Sequence, residues 1–180
     1  MKRSVLALGL LTAATFASAP SGAQTFQNGP YYANPSWDQQ IPAGQRFIVL
    51  SNWSNQAVLD RETGLVWERT PSGSTLTHWD FAATLCAEAG TGNRRGWRTP
   101  SIQELASLID PINGNMLPPG NPFQGVAASP TFYWSATSSP DIFAWVVAFG
   151  AVGLHSVGTA DKTDAGLTWC VRGGSGPDSQ

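Results

Sequence analysis

Gly96-Trp97-Arg98-Thr99-Pro100-Ser101-Ile102-Gln103-Glu104-Leu105 holds the start of a helix in readable form. Ser101 followed three residues on by Glu104 is a capping box: the hydroxyl accepts from the Glu104 backbone N–H, and the carboxylate reaches back to the Ser101 N–H. Ile102, Leu105, Ala106 and Ile109 then share one helical face, and Asp110-Pro111 stops the helix because proline disfavours helical geometry in the residue before it. The alternative start has Thr99 as cap and Pro100 in the first turn. Upstream, Thr77-x-x-Asp80 resembles the same box. Trp79, Ala82, Ala83 and Cys86 follow at helical spacing and Gly90 supplies the stop, which predicts a first helix over roughly 78–89.

Around these helices the hydrophobic period is that of strands. Phe47 to Leu50 is the first; Ala57 to Asp60 and Leu65 to Glu68 flank Arg61-Glu62-Thr63-Gly64, a hairpin whose glycine suits a positive φ. Phe132 to Ala136 is another. In Phe143 to Phe149, Phe143, Trp145, Val147 and Phe149 alternate with small or β-branched residues and give one bulky face. Leu154 to Val157 and Leu167 to Arg172 close the set. Between helix two and these strands, Pro111 to Pro130 is a loop of about twenty residues, a length that in a compact domain usually serves a function.

A chain of 180 residues fits one globular domain with some residues left for tails. Only 12% of them are charged and 42% are hydrophobic, with eight Trp, which excludes a disordered or coiled-coil chain. The 19 Gly and 13 Pro, without a collagen period, point to short elements and many turns. The net charge of −2 lacks the basic excess by which nucleic-acid binders neutralise phosphates, so no nucleic acid is expected as partner.

Met1-Lys2-Arg3 is a cationic start, and Val5 to Ala17 is an apolar run of signal-peptide length, too short to span a bilayer. Ala17-Ser18-Ala19 meets the small-x-small rule but puts Pro20 after the cut, so cleavage is expected after Ala23, within Ser21-Gly22-Ala23-Gln24. An uncleaved anchor is the alternative. Loss of Lys2 and Arg3 leaves a net charge of −4. The expected layout is a signal peptide over 1–23, a tail over 24–45, the domain over 46–174 and a second tail over 175–180, with no membrane span in the mature chain. The destination is periplasmic or extracellular. In that oxidising space a bond between Cys86 and Cys170 is the default, and two buried free thiols are the alternative.

Asp60-x-x-Thr63-Gly64-Leu65-x-Trp67, Trp79 with Cys86, Gly96-Trp97-Arg98-x-Pro100-x-Ile102-x-Glu104-Leu105, Tyr133-Trp134-Ser135-x-Thr137 and Cys170-Val171-Arg172-Gly173 occur in that order. This series resembles the family of bacterial exported domains typified by the C-terminal domain of Lcl-type collagen-like adhesins. Thr99, Ala136 and Trp169 depart from the pattern, which usually has Leu, Ser and Arg there. The resemblance implies an α+β, C-type-lectin-like fold shared with formylglycine-generating enzymes, with two helices packed on twisted antiparallel sheets and a bond from the first helix to the final strand. It also implies binding to sulfated or other anionic glycans. The reactive cysteine pair that those enzymes use for copper and oxygen chemistry has no counterpart, since Cys86 and Cys170 stand as a structural bridge.

Arg94-Arg95-Gly96-Trp97-Arg98 is the only cationic cluster. Guanidinium forks match sulfate or carboxylate, so Arg94 and Arg95 are ligand-binding candidates, the alternative being a solvated turn. Arg98 is expected to pair with Asp60 or Glu104 at the start of helix two. Asn113, Asn115, Asn121 and Asp141, at or near the long loop, are ligand-binding candidates alongside the arginines; as calcium ligands, one carboxylate among amides makes a poor cage, and the calcium-lectin tripeptides are absent. Trp67, Trp79, Trp97, Trp134 and Trp145 offer faces for sugar stacking or for core packing. His78 and His155 belong to no hydrolase or metalloprotease motif, and His78 is expected at the surface. The expectation is a non-catalytic binding module without cofactor or metal. Its partner would be a surface glycan or polyanionic envelope polymer, or else a protein of an envelope assembly; an enzyme with an unrecognised site is the remaining alternative.

Overall fold

The computed structural model describes residues 41, 43–71, 73–110, 117–128, 131–150 and 157–174. The expected signal peptide, the expected N-terminal tail up to residue 40, Asn113, Asn115, His155 and the C-terminal tail lie outside the described residues. In chain order the elements are α1 (Ala43–Arg46), β1 (Phe47–Val49), β2 (Ala57–Asp60), β3 (Val66–Glu68), β4 (Gly73–Thr77), α2 (Trp79–Glu88), α3 (Ile102–Ala106), β5 (Tyr133–Ser138), β6 (Phe143–Val147), β7 (Val157–Asp161), β8 (Gly166–Thr168) and β9 (Val171–Arg172). Two 3-10 turns, Ser51–Trp53 and Thr91–Asn93, complete them. One sheet runs β1-β2-β3-β9, antiparallel throughout; the other runs β4-β8-β5-β6-β7, with β5–β8 as its parallel pair. The class is α+β.

The hairpin and the capping box form as the residues predict. Ser101 Oγ accepts from Glu104 N at 3.2 Å and Glu104 Oε2 from Ser101 N at 2.9 Å, while Ile102 and Leu105 turn into the core. α2 starts differently from expectation. Thr77 is the last residue of β4, and its carbonyl accepts from Trp134 Nε1; His78 is the N-cap without a side-chain hydrogen bond. Gly73–Thr77 has no alternation to announce a strand, and its pairing with β8 overrides the local signal. The strand expected over 167–172 divides in two. Leu167 belongs to one sheet and Val171 to the other, so the chain crosses between sheets at Trp169-Cys170.

That crossing is the centre of the molecule. Trp169 is fully buried, with Trp67, Phe123, Tyr133 and Phe149 around it at centroid distances of 4.9 to 5.8 Å, mostly edge-on. Its indole N–H donates to the Glu68 carbonyl at 2.9 Å. Tryptophan fills this site, walled by rings, and keeps one satisfied donor. Next to it Cys170 is bonded to Cys86 on α2, closing a separation of 84 residues. For a loop of that size the chain-entropy model gives about 4–5 kcal/mol before strain.

The bulky face of β6 is only half covered. Val147, followed by Phe149 just past the strand, lies in the main core, whereas Phe143 and Trp145 on the same face are exposed. Ala144 and Val146 pack on the other side with Trp134 and Ala82 of α2. Trp67, Trp97 and Trp134 are core residues. Trp79 is half-buried and donates its Nε1 hydrogen to the Ser135 carbonyl, and His78 is exposed as expected.

Candidate functional site

Arg94 and Arg95 stand on the turn that follows the second 3-10 turn, and the fold brings a third guanidinium to them. Trp53 carries two of the three, Arg94 and Arg172. Ser54 and Asn55 take left-handed backbone angles that swing the chain back after Trp53, and the indole then closes on Gly92. A Cβ at Gly92, whose φ is +65°, would meet the Trp53 ring at 2.9 Å, so only glycine fits. Trp97 packs edge-on to Trp53 at 6.2 Å and donates from Nε1 to the Arg94 carbonyl at 3.1 Å. The guanidinium carbons of Arg94 and Arg172 sit 5.3 and 5.4 Å from the Trp53 ring centroid. Each such contact is worth roughly 0.5–1 kcal/mol at an exposed site.

Backbone carbonyls hold the rest of the array. Arg172 Nε donates to the Arg95 carbonyl at 2.8 Å, and Arg95 Nη1 to the Glu88 carbonyl at 2.8 Å, at the C-terminal end of α2 where the helix dipole favours a cation. Among the described residues, none of Arg94, Arg95 and Arg172 forms an ion pair with a carboxylate. Arg94 and Arg172, which share the Trp53 ring without an acid between them, repel one another, and an arriving anion relieves that repulsion. Arg172 was missed as a site residue from sequence; it sits 77 positions beyond Arg95, and only the antiparallel bridge between Arg98 and Val171 makes them neighbours.

Arg98 and Arg46, by contrast, are committed to the fold. Arg98 pairs with Glu104 in a fork of 2.6 and 2.7 Å, one of its two expected partners, and donates to the Gly173 carbonyl. Asp60 is taken by Arg46 instead, at 2.7 and 2.8 Å, with Glu62 at 3.3 Å and the Ser107 carbonyl at 3.0 Å on the same guanidinium. Arg46 is buried, and sequence reasoning assigned it no role.

The loop candidates divide. Asn121 spends both ends of its amide within the loop, donating to the Pro118 carbonyl at 2.9 Å and accepting from Phe123 N at 3.1 Å. Asp141 lies in the β5–β6 turn at φ +61°, its carbonyl accepting from Lys162 Nζ at 3.4 Å. No hydrogen bond or ion pair among the described residues joins either to the arginine array. Elsewhere the loop is pinned by the Tyr133 hydroxyl, which accepts from Ala127 N at 2.7 Å; burial pushes that phenol above its ordinary pKa. Arg69 Nε donates to the Pro122 carbonyl at 3.1 Å and Gln124 N to the Arg69 carbonyl at 2.8 Å. Between this part of the loop and the 90–91 turn an open cleft of about 460 Å³ remains.

With the bridge, the hairpin and the capped α3 in place, the model of the Lcl C-terminal domain family matches residues 56–172. The chain belongs to the Lcl C-terminal domain family. The matched span of this Lcl domain contains Arg94, Arg95, Arg172 and the disulfide, while Arg46 and β1 lie before it. No curated protein matches the chain. No helix among the described residues is long and apolar enough to cross a membrane.

Proposed function

We propose that the chain is an exported, non-catalytic binding module of C-type-lectin-like arrangement that holds a polyanionic surface polymer, a glycan foremost, through Arg94, Arg95 and Arg172. The carrying observation is the array itself: three guanidinium groups set by Trp53 and by backbone carbonyls, with no described carboxylate paired to them. Such forks match sulfate and carboxylate oxygens. Family membership and the disulfide support export, and the bond from α2 to the segment before β9 supports the lectin-like arrangement. Both cysteines are consumed in that bond, which leaves no thiol for copper chemistry.

A protein partner in an envelope assembly is the second reading. Ile142, Phe143 and Trp145 support it, since they extend an apolar face past the core into solvent. The two readings separate on immobilised dextran sulfate. Retention of the parent protein should fall steeply as salt rises to about 0.15 M, where the screening length is about 8 Å, and a chelator should not change it. Arg94→Ala/Arg95→Ala should weaken binding about fivefold or more while the domain stays folded, with its melting temperature only slightly lowered. Equal binding by the double variant, or a calcium requirement, would overturn the site.

A further inference from the structure

We propose that the cleft beside the arginine array is a subsite for a single carboxylate-bearing sugar ring, so that one anionic chain is held by charge at the array and read by shape in the cleft. This rests on the reading of the array as a polyanion site, and adds to it a ligand class and a source of selectivity. The cleft of about 460 Å³ is large enough for a pyranose and its substituents. Its walls come from Gly90 and the polar side chains of Asn55, Gln56, Arg69, Thr70, Thr91 and Gln124, and include no aromatic residue. The mostly polar lining favours a ligand with hydroxyl groups all round over an apolar one.

The hydrogen-bonding capacity is fixed group by group. Gln56 Oε1 accepts from Gly92 N at 2.8 Å, which sets the amide orientation and leaves its NH2 group to donate. Thr91 donates its hydroxyl hydrogen to the buried Glu68 carboxylate at 2.6 Å, so its oxygen faces a ligand only as an acceptor. Arg69 uses Nε on Pro122 and Nη1 on the Asn55 carbonyl, and neither hydrogen of Nη2 has a partner among the described residues. No described carboxylate pairs with Arg69. A guanidinium edge beside an amide donor suits a planar carboxylate, and the Thr91 acceptor suits a sugar hydroxyl. Thr91 and Arg94 are three residues apart, at most about 10 Å along the chain, so adjacent units of one polymer reach both.

The test compares two probes, trigalacturonate and dextran sulfate, on four proteins: parent, Arg69→Gln, Gln124→Trp and Arg94→Ala/Arg95→Ala. Gln124→Trp fills the cleft while keeping the backbone bond to Arg69, so it decides the matter if Arg69→Gln lowers the melting temperature. The cleft variants should weaken trigalacturonate binding about tenfold and leave dextran sulfate binding unchanged. The double arginine variant should weaken dextran sulfate. Trigalacturonate that fails to bind the parent, or binds the cleft variants as tightly as the parent, overturns the subsite alone. Dextran sulfate that ignores Arg94 and Arg95 overturns the array instead.

Discussion

Arg46 lies beneath the first hairpin with its side chain 1% exposed and its guanidinium shared among Asp60, Glu62 and the Ser107 carbonyl, whereas Arg94 stands in solvent over the face of Trp53 with no acid beside it. Arg98 is intermediate, 21% exposed and forked onto Glu104. The same side chain therefore serves the fold where its charge is matched and stays available to a ligand where it is not. Desolvation sets the difference, because a buried guanidinium is tolerable only with nearly every N–H satisfied, while an exposed one is satisfied by water until an anion replaces it.

The steepest test of this contrast is Arg46→Ala, which strands two buried carboxylates; chemical denaturation should show a loss of about 3–5 kcal/mol. A loss below about 1 kcal/mol would mean that the ion cluster is incidental. Glu104→Ala should come next, at about 2 kcal/mol, since it removes both the Arg98 partner and half of the capping box, and Ser101→Ala should cost about 1 kcal/mol by the loss of the cap alone. Equal costs for the two would show that the Arg98 pair adds nothing. Arg94→Ala/Arg95→Ala should lower stability by about 0.5–1 kcal/mol, from the exposed Trp53 contact and the Glu88 bond, while reducing polyanion retention.

The smallest expected effect is at Asp161. Its carboxyl is held below the ordinary carboxylate range by the backbone N–H and then the hydroxyl of Thr163. A depressed folded-state value means that its contribution is complete above the unfolded carboxyl's pKa of about 3.9 and is lost as pH falls through the lower folded value. The Thr163 amide resonance should follow that acid titration and stay flat from about pH 5 to 8. A titration near the ordinary carboxylate value would show that the turn does not hold the carboxyl.

Local signals were legible where both partners sit a few residues apart: Ser101 with Glu104, and the two strands around Thr63-Gly64. The disulfide followed from the expected compartment and was confirmed by the bond itself. Long-range encounters were not legible. Nothing near Arg46 announces Asp60, and nothing near Arg95 announces Arg172. β4 carries no period of its own, and Leu167 to Arg172 looks like one strand because a change of sheet leaves no mark on hydrophobic alternation. Of the site residues expected, Arg94 and Arg95 lie on one turn and Asn121 bonds within its loop, while Trp53 and Arg172, neither of them expected, pack beside Arg94.

The Cys86–Cys170 bond also decides how the domain carries mechanical load. Tension applied ahead of β1 and beyond β9 runs along the chain to Cys86, crosses the sulfur bridge and leaves from Cys170, so the residues between them lie off the line of force. That sheltered loop contains Arg94 and Arg95, α3 and β5 to β8. The β3–β9 pairing, Val66 with Arg172 and Trp67 with Val171, joins the two loaded segments on either side of the bridge and seats Arg172. Reduction of the bond would put the same segment in series with the pull.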